Sequence, residues 1–478
     1  MKKLILLFAA LCITVSTWAY DFTVNGIYYD ITSSTSPYTV AVTVESNSVN
    51  SYSGAVTVPS SVTYSSTSYS VTSIGTYAFA LSTGLTSVTI PSSVTSIEAW
   101  AFYGCTGLTS IVIPSSVTSI GDGTFWGCTS IATISIPASV KKIGSYVFFG
   151  CWALTQVNAD AANTNFSSVD GVLYNKDKST LLVYPSGRPD VSYTIASSVD
   201  TIGSYAFSYC KNLTSITIPS TVVYITGHAF IQCNGLTSVY IPSSVTFFNN
   251  NPFYDCAGLT AVNVDPASQY NESVDGILFK KGLTTIIYYP PAHSGTSYVI
   301  PSTVTYVRSS VFLNCIGLTS VTIPASVTTI RSGLFSGCSN MTSINAYGSV
   351  PVDLTSVTVD ESKEVFKGVD TTTCVLHVPV GSKSLYASAF QWKGFTNIVE
   401  GFTSAVSMAT VSNVKVSVQN GKLQVSGALM GETITVYTLQ GLTLYSQKAD
   451  AATVVVVSLP VHGMYVVRVG TGNVKVVY

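Results

Sequence analysis

One phrase, L-T-S-V-T-I-P-S-S-V-T-S-I-G-x-x-A-F-x-G-C, returns along this chain at a fixed interval, and a chain that repeats itself in this way has few folds open to it. Its Phe falls at Phe79, Phe102, Phe125 and Phe148, then at Phe207, Phe230 and Phe253, then at Phe312 and Phe335, 23 residues apart within each group. Cysteine keeps the same interval at Cys105, Cys128, Cys151, Cys210, Cys233, Cys256, Cys315 and Cys338. A unit this short cannot bury its apolar face alone, so successive units must stack coil on coil.

Between groups the step lengthens to 59 residues, which is 23 plus an insertion of 36. The insertions resemble one another: Val169-Asp170-Gly171-Val172-Leu173-Tyr174 matches Val274-Asp275-Gly276-Ile277-Leu278-Phe279, 105 residues on, and Val24-Asn25-Gly26-Ile27-Tyr28-Tyr29 looks like a third copy. Each reads as a β-hairpin around an Asn-Gly or Asp-Gly turn. Asp170 and Asp275 are therefore expected to be turn residues rather than a catalytic pair.

Within a coil, Leu85, Val88 and Ile90 have the L-x-x-L-x-L spacing that sends three side chains inward, as do Leu108, Ile111 and Ile113, and Leu213, Ile216 and Ile218. Pro91 ends the strand because it has no N–H to donate. A second extended piece points Val94 and Ile97 inward, and a turn then carries Ala101 and Phe102 into the core. Parallel strands of neighbouring coils would lie about 4.8 Å apart, giving nine coils a length on the order of 45 Å.

The I-P-S-S-V-T-S-I-G and A-F-x-G-C phrases resemble the repeat of the BspA-like leucine-rich-repeat family, from roughly Gly54 to Cys338. Val375-Leu376-His377-Val378-Pro379, Gly381-Ser382, Tyr386, Trp392 and Phe395-Thr396-Asn397-Ile398-Val399-Glu400 are similar to that family's closing coil. The resemblance implies a right-handed solenoid displayed on the bacterial surface, which in some members adheres to host matrix proteins or other bacteria. The fold class expected is a β-rich leucine-rich-repeat solenoid followed by a small all-β, Ig-like sandwich.

The ends carry different signals. Lys2 and Lys3 precede an apolar run from Leu4 to Val15, with the small residue Ala19 at the expected cleavage point of a secretion signal. Leu11 before Cys12 is bulkier than lipidation favours, so soluble export is expected. The domain division read from the sequence is a signal peptide over 1–19, a capping hairpin region over 20–53 and a solenoid over 54–400 with insertions near 158–195 and 263–300. A linker over 401–412 and a C-terminal sandwich over 413–478 complete it. The tail has seven strand-like runs in the manner of a sandwich. Its ending, Gly463-Met464-Tyr465-Val466-Val467-Arg468-Val469 and Lys475-Val476-Val477, resembles a type IX secretion sorting domain; an ordinary Ig-like spacer suits the same strands.

Only 9% of the 478 residues are charged and the net charge is −1, with no Lys/Arg cluster to neutralise a row of phosphates, which disfavours nucleic acid as a partner. Ser, Thr, Val, Ile and Tyr make a strand vocabulary. No later apolar stretch of about 20 residues suggests a membrane helix. His228, His293, His377 and His462 share no metal-ligand spacing, and no G-x-S-x-G, H-E-x-x-H, C-x-x-C or P-loop is present. No catalytic residue, metal or cofactor is expected. The cysteine column suits cross-linking in an oxidising compartment, a metal ladder or buried free thiols, and the parallel geometry and odd count favour thiols.

The working surface is expected on the outward side of the strands. One column reads Ser87, Ser110, Thr133, Ser215, Ser238 and Ser320, and its neighbour Thr89, Val112, Ser135, Thr217, Tyr240 and Thr322. These residues suit hydrogen bonding to glycan or extended peptide, and also suit plain solvation. Trp100, Trp126 and Trp152 flank the turns, as an aromatic platform or as core packing. The function expected is binding of an extracellular macromolecule without turnover, with the tail engaging secretion machinery. A glycan-handling accessory module, a weak carbohydrate hydrolase and a structural surface spacer are the alternatives.

Overall fold

The computed structural model describes residues 20–45, 51–355 and 364–402, and strands between 409 and 477. The signal-peptide reading of 1–19 lies outside the described residues. The chain divides into two compact units at Leu259/Thr260.

In the first unit, each repeat feeds two parallel ladders. Thr67–Ile74, Ser96–Ile97, Ser119–Ile120 and Lys142–Ile143 pair so that Ile74, Ile97, Ile120 and Ile143 stand side by side. On the other ladder Val56 pairs with Val88 and Val88 with Ile111, and further along Ile134 pairs with Val157. Apart from Val56, which lies 32 residues before Val88, residues 23 apart thus face each other, which is what an exact period dictates for stacked parallel strands.

The recurrent P-S-S-V has a similar explanation. After each Pro the chain turns, with the Val94 N–H donating to the Pro91 carbonyl and the Val117 N–H to that of Pro114, both at 3.1 Å. The second Ser then reaches back one coil: Ser93 Oγ donates to the Val71 carbonyl, Ser116 Oγ to Val94 and Ser139 Oγ to Val117, at 2.7, 2.6 and 2.7 Å. Hydroxyls here tie coils together as well as keep the surface wet.

The phenylalanines form an internal spine. Phe79, Phe102, Phe125 and Phe148 are stacked at centroid separations of 5.1, 5.5 and 5.9 Å with interplanar angles of 1°, 9° and 4°. Tyr52 meets Phe79 at 4.7 Å. A second run begins with Tyr184, 5.0 Å from Phe207, and continues through Phe230 to Phe253 at 5.0 and 5.4 Å. Burying each ring stabilises the fold by about 2–3 kcal/mol.

The insertions contain the expected hairpins but go further. Phe166–Val169 and Val172–Asn175 pair antiparallel around Asp170 and Gly171, whose φ values of 50° and 77° suit a primed hairpin turn. A third strand, Thr180–Val183, then pairs antiparallel with the hairpin and parallel with Thr201–Ile202, so that Leu181 stands beside Ile202. Ser192–Thr194 joins the other ladder beside Ser215–Thr217. The insertion is therefore a coil of the solenoid as well as a hairpin, with Tyr184 at the Phe position; the missing A-F-x-G-C phrase hid it. The N-terminal copy does the same, since Thr39–Thr43 pairs antiparallel with Ile27–Ser33 and parallel with Thr67–Ile74.

The second unit repeats the scheme. Asn271–Val274, Ile277–Lys280 and Thr285–Tyr288 lead into the ladder through Ile286 and Val307. Ser297–Val299, Ser320–Ile323, Ser343–Ala346, Val375–Pro379 and Asn397–Phe402 form one five-stranded sheet. Its spine runs from Phe312 to Phe335 to Phe366 at 5.3 and 5.9 Å and ends edge-on against Trp392 at 4.9 Å. Trp392 Nε1 donates to the Val352 carbonyl, and the Tyr386 hydroxyl, on the short helix Lys383–Ser388, donates to that of Gly348, both at 2.9 Å. These aromatics cover the last coil and satisfy backbone that no further repeat would pair.

The C-terminal strands form two four-stranded antiparallel sheets. Leu423, Val425, Ile434, Val436, Val457 and Val467 are buried. Eight strands are described, one more than the seven read from the sequence; the extra one, Ala409–Val411, occupies part of the stretch read as linker.

Candidate binding surfaces

In the first unit, Ser110, Thr133, Ser215 and Ser238 are exposed and Ser87 is half-buried; Thr89, Ser135 and Thr217 are exposed, as are Val112 at 79% and Tyr240 at 52%. Strand pairing brings Ser87 beside Ser110, and it places Gln156 and Asn158 beside Thr133 and Ser135. Ser192 and Thr194 likewise extend the rows beside Ser215 and Thr217, a contribution from the insertion that the repeat phrase does not announce. In the second unit Ser320 is half-buried. Thr322 departs from expectation: it is 8% exposed, and Asn345 Nδ2 donates to its Oγ1 at 3.1 Å, so it belongs to an internal bond rather than an open face.

A second surface lies along the turns. Each turn needs two residues with left-handed backbone. Gly123, Gly104 and Gly127 meet this need in some coils, but Tyr77, Trp100, Tyr146, Tyr205 and Tyr209 take the same positions in others, at φ of 58°, 59°, 60°, 61° and 59°. A side chain there costs about 1 kcal/mol that glycine would not.

Together with their neighbours, these rings make a ribbon along the first unit. Tyr77 stacks on Trp100 at 6.3 Å, Trp100 meets Trp126 at 5.2 Å, and Trp126 meets Phe149 at 4.2 Å. Tyr146 meets Tyr205 at 4.4 Å, Phe149 meets Tyr209 at 4.9 Å and Tyr209 meets Trp152 at 6.1 Å. Tyr205 then meets His228 at 5.4 Å. Trp100 and Trp126 are half-buried and Trp152 is 42% exposed, so all three belong to this edge rather than to the Phe spine. The tyrosines were legible only by aligning turn positions column by column.

A cleft of about 250 Å³ opens beside the ribbon, bounded by Tyr146, Phe149, Tyr184, Ser204, Tyr205 and Ser208 among others. Its origin is a difference in chain length. A regular coil places four residues between the ladder residue Ile202 and the core ring Phe207, whereas the insertion coil places two between Leu181 and Tyr184. The insertion coil has no room for the outward bulge, and space opens where that bulge would stand.

The model of the BspA type leucine rich repeat region matches this chain in six copies, over residues 57–170, 191–288 and 288–357. The chain belongs to the BspA-type leucine-rich-repeat family. The matching model describes a leucine-rich-repeat region and names no catalytic family. Among solved structures, this BspA-type chain is similar to a leucine rich cell surface protein of Faecalibacterium prausnitzii, at 23% identity over 80% of this chain and 95% of that one, with a TM-score of 0.42. It is also similar to a leucine-rich repeat protein of Eubacterium ventriosum, at 24% identity over 74% and 95% with a TM-score of 0.47, and to the pneumococcal vaccine antigen PcpA, at 17% over 81% and 100% with 0.34. No curated protein matches it.

Each insertion of the BspA-type chain carries a polar latch. Tyr184 Oη and Arg188 Nε both donate to Asp190 Oδ2 at 2.6 Å, and Arg188 also donates to the Asp170 carbonyl. The Tyr184 hydroxyl, with the guanidinium beside it, holds the Asp190 carboxyl below the usual range. The corresponding residues 105 positions on are Tyr289 and His293: Nδ1 lies 3.1 Å from the Tyr289 hydroxyl and Nε2 lies 3.0 Å from the Asp275 carbonyl. Asp170 and Asp275 thus serve as turn residues that also anchor the loop following each insertion.

The repeat cysteines of the BspA-type chain are free and buried. Cys105, Cys151, Cys233 and Cys256 point their thiols at the carbonyls of Phe79, Phe125, Phe207 and Phe230, at 2.9, 3.0, 2.8 and 2.9 Å. Burial pushes Cys105 and Cys151 up to about 12, which leaves them protonated and unreactive at neutral pH. His377 lies half-buried in the closing strand, and His462 lies outside the described residues. Among the described residues no group of three or more His, Cys, Asp or Glu is placed to hold a metal, and no helix is long and apolar enough to cross a membrane.

Proposed function

We propose that this BspA-type chain is an exported, surface-displayed binding protein that engages an extracellular macromolecule, a host matrix protein or a component of another cell surface, without catalysing a reaction. The observation that carries this reading is the register of the outward strand residues. Thr133 and Gln156, Ser192 and Ser215, and Thr194 and Thr217 face solvent in pairs with no formal charge among them. Such rows offer donors and acceptors at the strand spacing, which suits the extended backbone or hydroxyls of a partner.

In this reading the N-terminal segment 1–19 directs export, and the C-terminal sheets form an Ig-like sandwich that acts as a type IX sorting domain. Residues 20–53 cap a solenoid that runs to 400. The full chain, exposed to immobilised collagen, laminin and fibronectin and to whole bacterial cells, is expected to bind at least one of them saturably. Blank surfaces throughout would leave only a structural spacer. Deleting residues 463–478 is expected to retain the protein inside the envelope, and unchanged secretion would remove the sorting role.

A further inference from the structure

We infer that the cleft that opens beside the paired rings of Tyr146 and Tyr205 is a binding subsite for a neutral sugar ring of a glycan. This site lies on the turn edge, apart from the outward strand residues, and does not depend on the reading given to them.

Size and lining come first. A space of about 250 Å³ lies near the lower end for small-ligand pockets and accommodates one pyranose rather than a folded peptide segment. Its lining includes the half-buried rings of Tyr146 and Tyr205, which meet edge to face and leave an electron-rich face for the C–H face of a sugar, while buried Phe149, Phe166 and Leu173 make the rest of it largely apolar. Ser145 and Ser204 are exposed at its mouth and Ser208 lies deeper, offering hydroxyls at the rim of an aromatic slot. No charged side chain lines it, so an ionised ligand entering would lose water without gaining a partner, and a neutral one is favoured.

The chain supplies its own control for whether the fold requires these rings. The block duplicated 105 residues on has Asn251, Ser310, Asn314 and Ala257 where this one has Tyr146, Tyr205, Tyr209 and Trp152. Ser310 and Asn314 hold the same left-handed backbone, at φ of 56° and 55°. The turn therefore closes without an aromatic, and rings kept in a backbone that disfavours them serve something other than closure. Trp152 beside Tyr209 on one side, and Trp126 beside Phe149 on the other, would let neighbouring sugars continue along the ribbon.

The experiment uses the full chain and neutral gluco-, galacto-, manno- and chito-oligosaccharides, read by saturation-transfer NMR and tryptophan fluorescence. At least one series is expected to bind saturably. Tyr205→Ser and Tyr146→Asn, which copy residues the same repeat carries elsewhere, are expected to weaken it at least tenfold with the thermal midpoint little changed. Ser145→Trp, at an exposed position on the rim, blocks the mouth and is expected to do the same should either tyrosine variant fold poorly. No saturable binding of any neutral series, binding indifferent to Ser145→Trp, or binding only of aromatic peptides or lipid vesicles would overturn the assignment.

Discussion

The thiol of Cys128 lies 3.1 Å from the carbonyl oxygen of Phe102, 26 residues earlier and one coil back. That contact joins the two columns that keep the repeat's interval, because the Phe backbone accepts from the Cys of the next coil while its ring stacks on the next Phe. The column is a ladder of S–H donors, which accounts for free thiols where cross-links were conceivable. Native protein is expected to resist iodoacetamide at the repeat cysteines and to react fully once denatured, read by intact mass. Cys128→Ala should cost about 1–2 kcal/mol in a denaturant titration, through a lost donor and a small void.

The same thiols set an alkaline limit. Cys105 and Cys151 are raised from 9.0 to about 12 by burial, so the unfolded chain ionises first. Their contribution is fully present below about pH 9 and is lost as the pH rises toward 12, each unit of separation being worth about 1.4 kcal/mol. At the acid side His228 is lowered from 6.5 by burial. Its contribution is present above that value and is lost as the pH falls through the depressed one. Thermal midpoints measured from pH 4 to 11 should form a plateau between these limits; a midpoint rising above pH 9 would contradict the buried column.

Phe125 sits between Phe102 and Phe148 in the spine. Phe125→Ala is expected to cost about 3–5 kcal/mol. In a stack where each coil touches chiefly its neighbours, the loss should be local. Hydrogen exchange should accelerate in the coils around residues 97–154 and remain near wild type around residues 320–346.

Most of the architecture was legible because the repeat is nearly exact. The Phe and Cys columns and the hairpin turns at Asp170 and Asp275 follow from interval and turn chemistry alone. The coil inside each insertion was not legible, since Tyr184 replaces Phe and two residues of the bulge are missing. Thr322 was misplaced because pattern alone cannot see Asn345 reaching across from the next strand. The cleft is a consequence of that shortened coil, and no local motif marks it.

Gly123 makes room for Trp100: a Cβ there would fall 2.4 Å from the indole Cε3, at a φ of 58°. Gly123→Ala should therefore cost at least about 1 kcal/mol and move the ring. A red-shifted tryptophan emission and a lowered thermal midpoint are expected, and an unchanged spectrum would argue against the ribbon packing.

The functional account rests on the uncharged outward strand face. Its most direct test is the binding of a Ser110→Arg, Thr133→Arg, Ser215→Arg triple variant to whichever of collagen, laminin, fibronectin or whole cells retains the wild-type chain. Affinity is expected to fall at least tenfold while the thermal midpoint stays within a few degrees, because the substituted side chains are exposed. Undiminished binding by the folded variant would contradict the account.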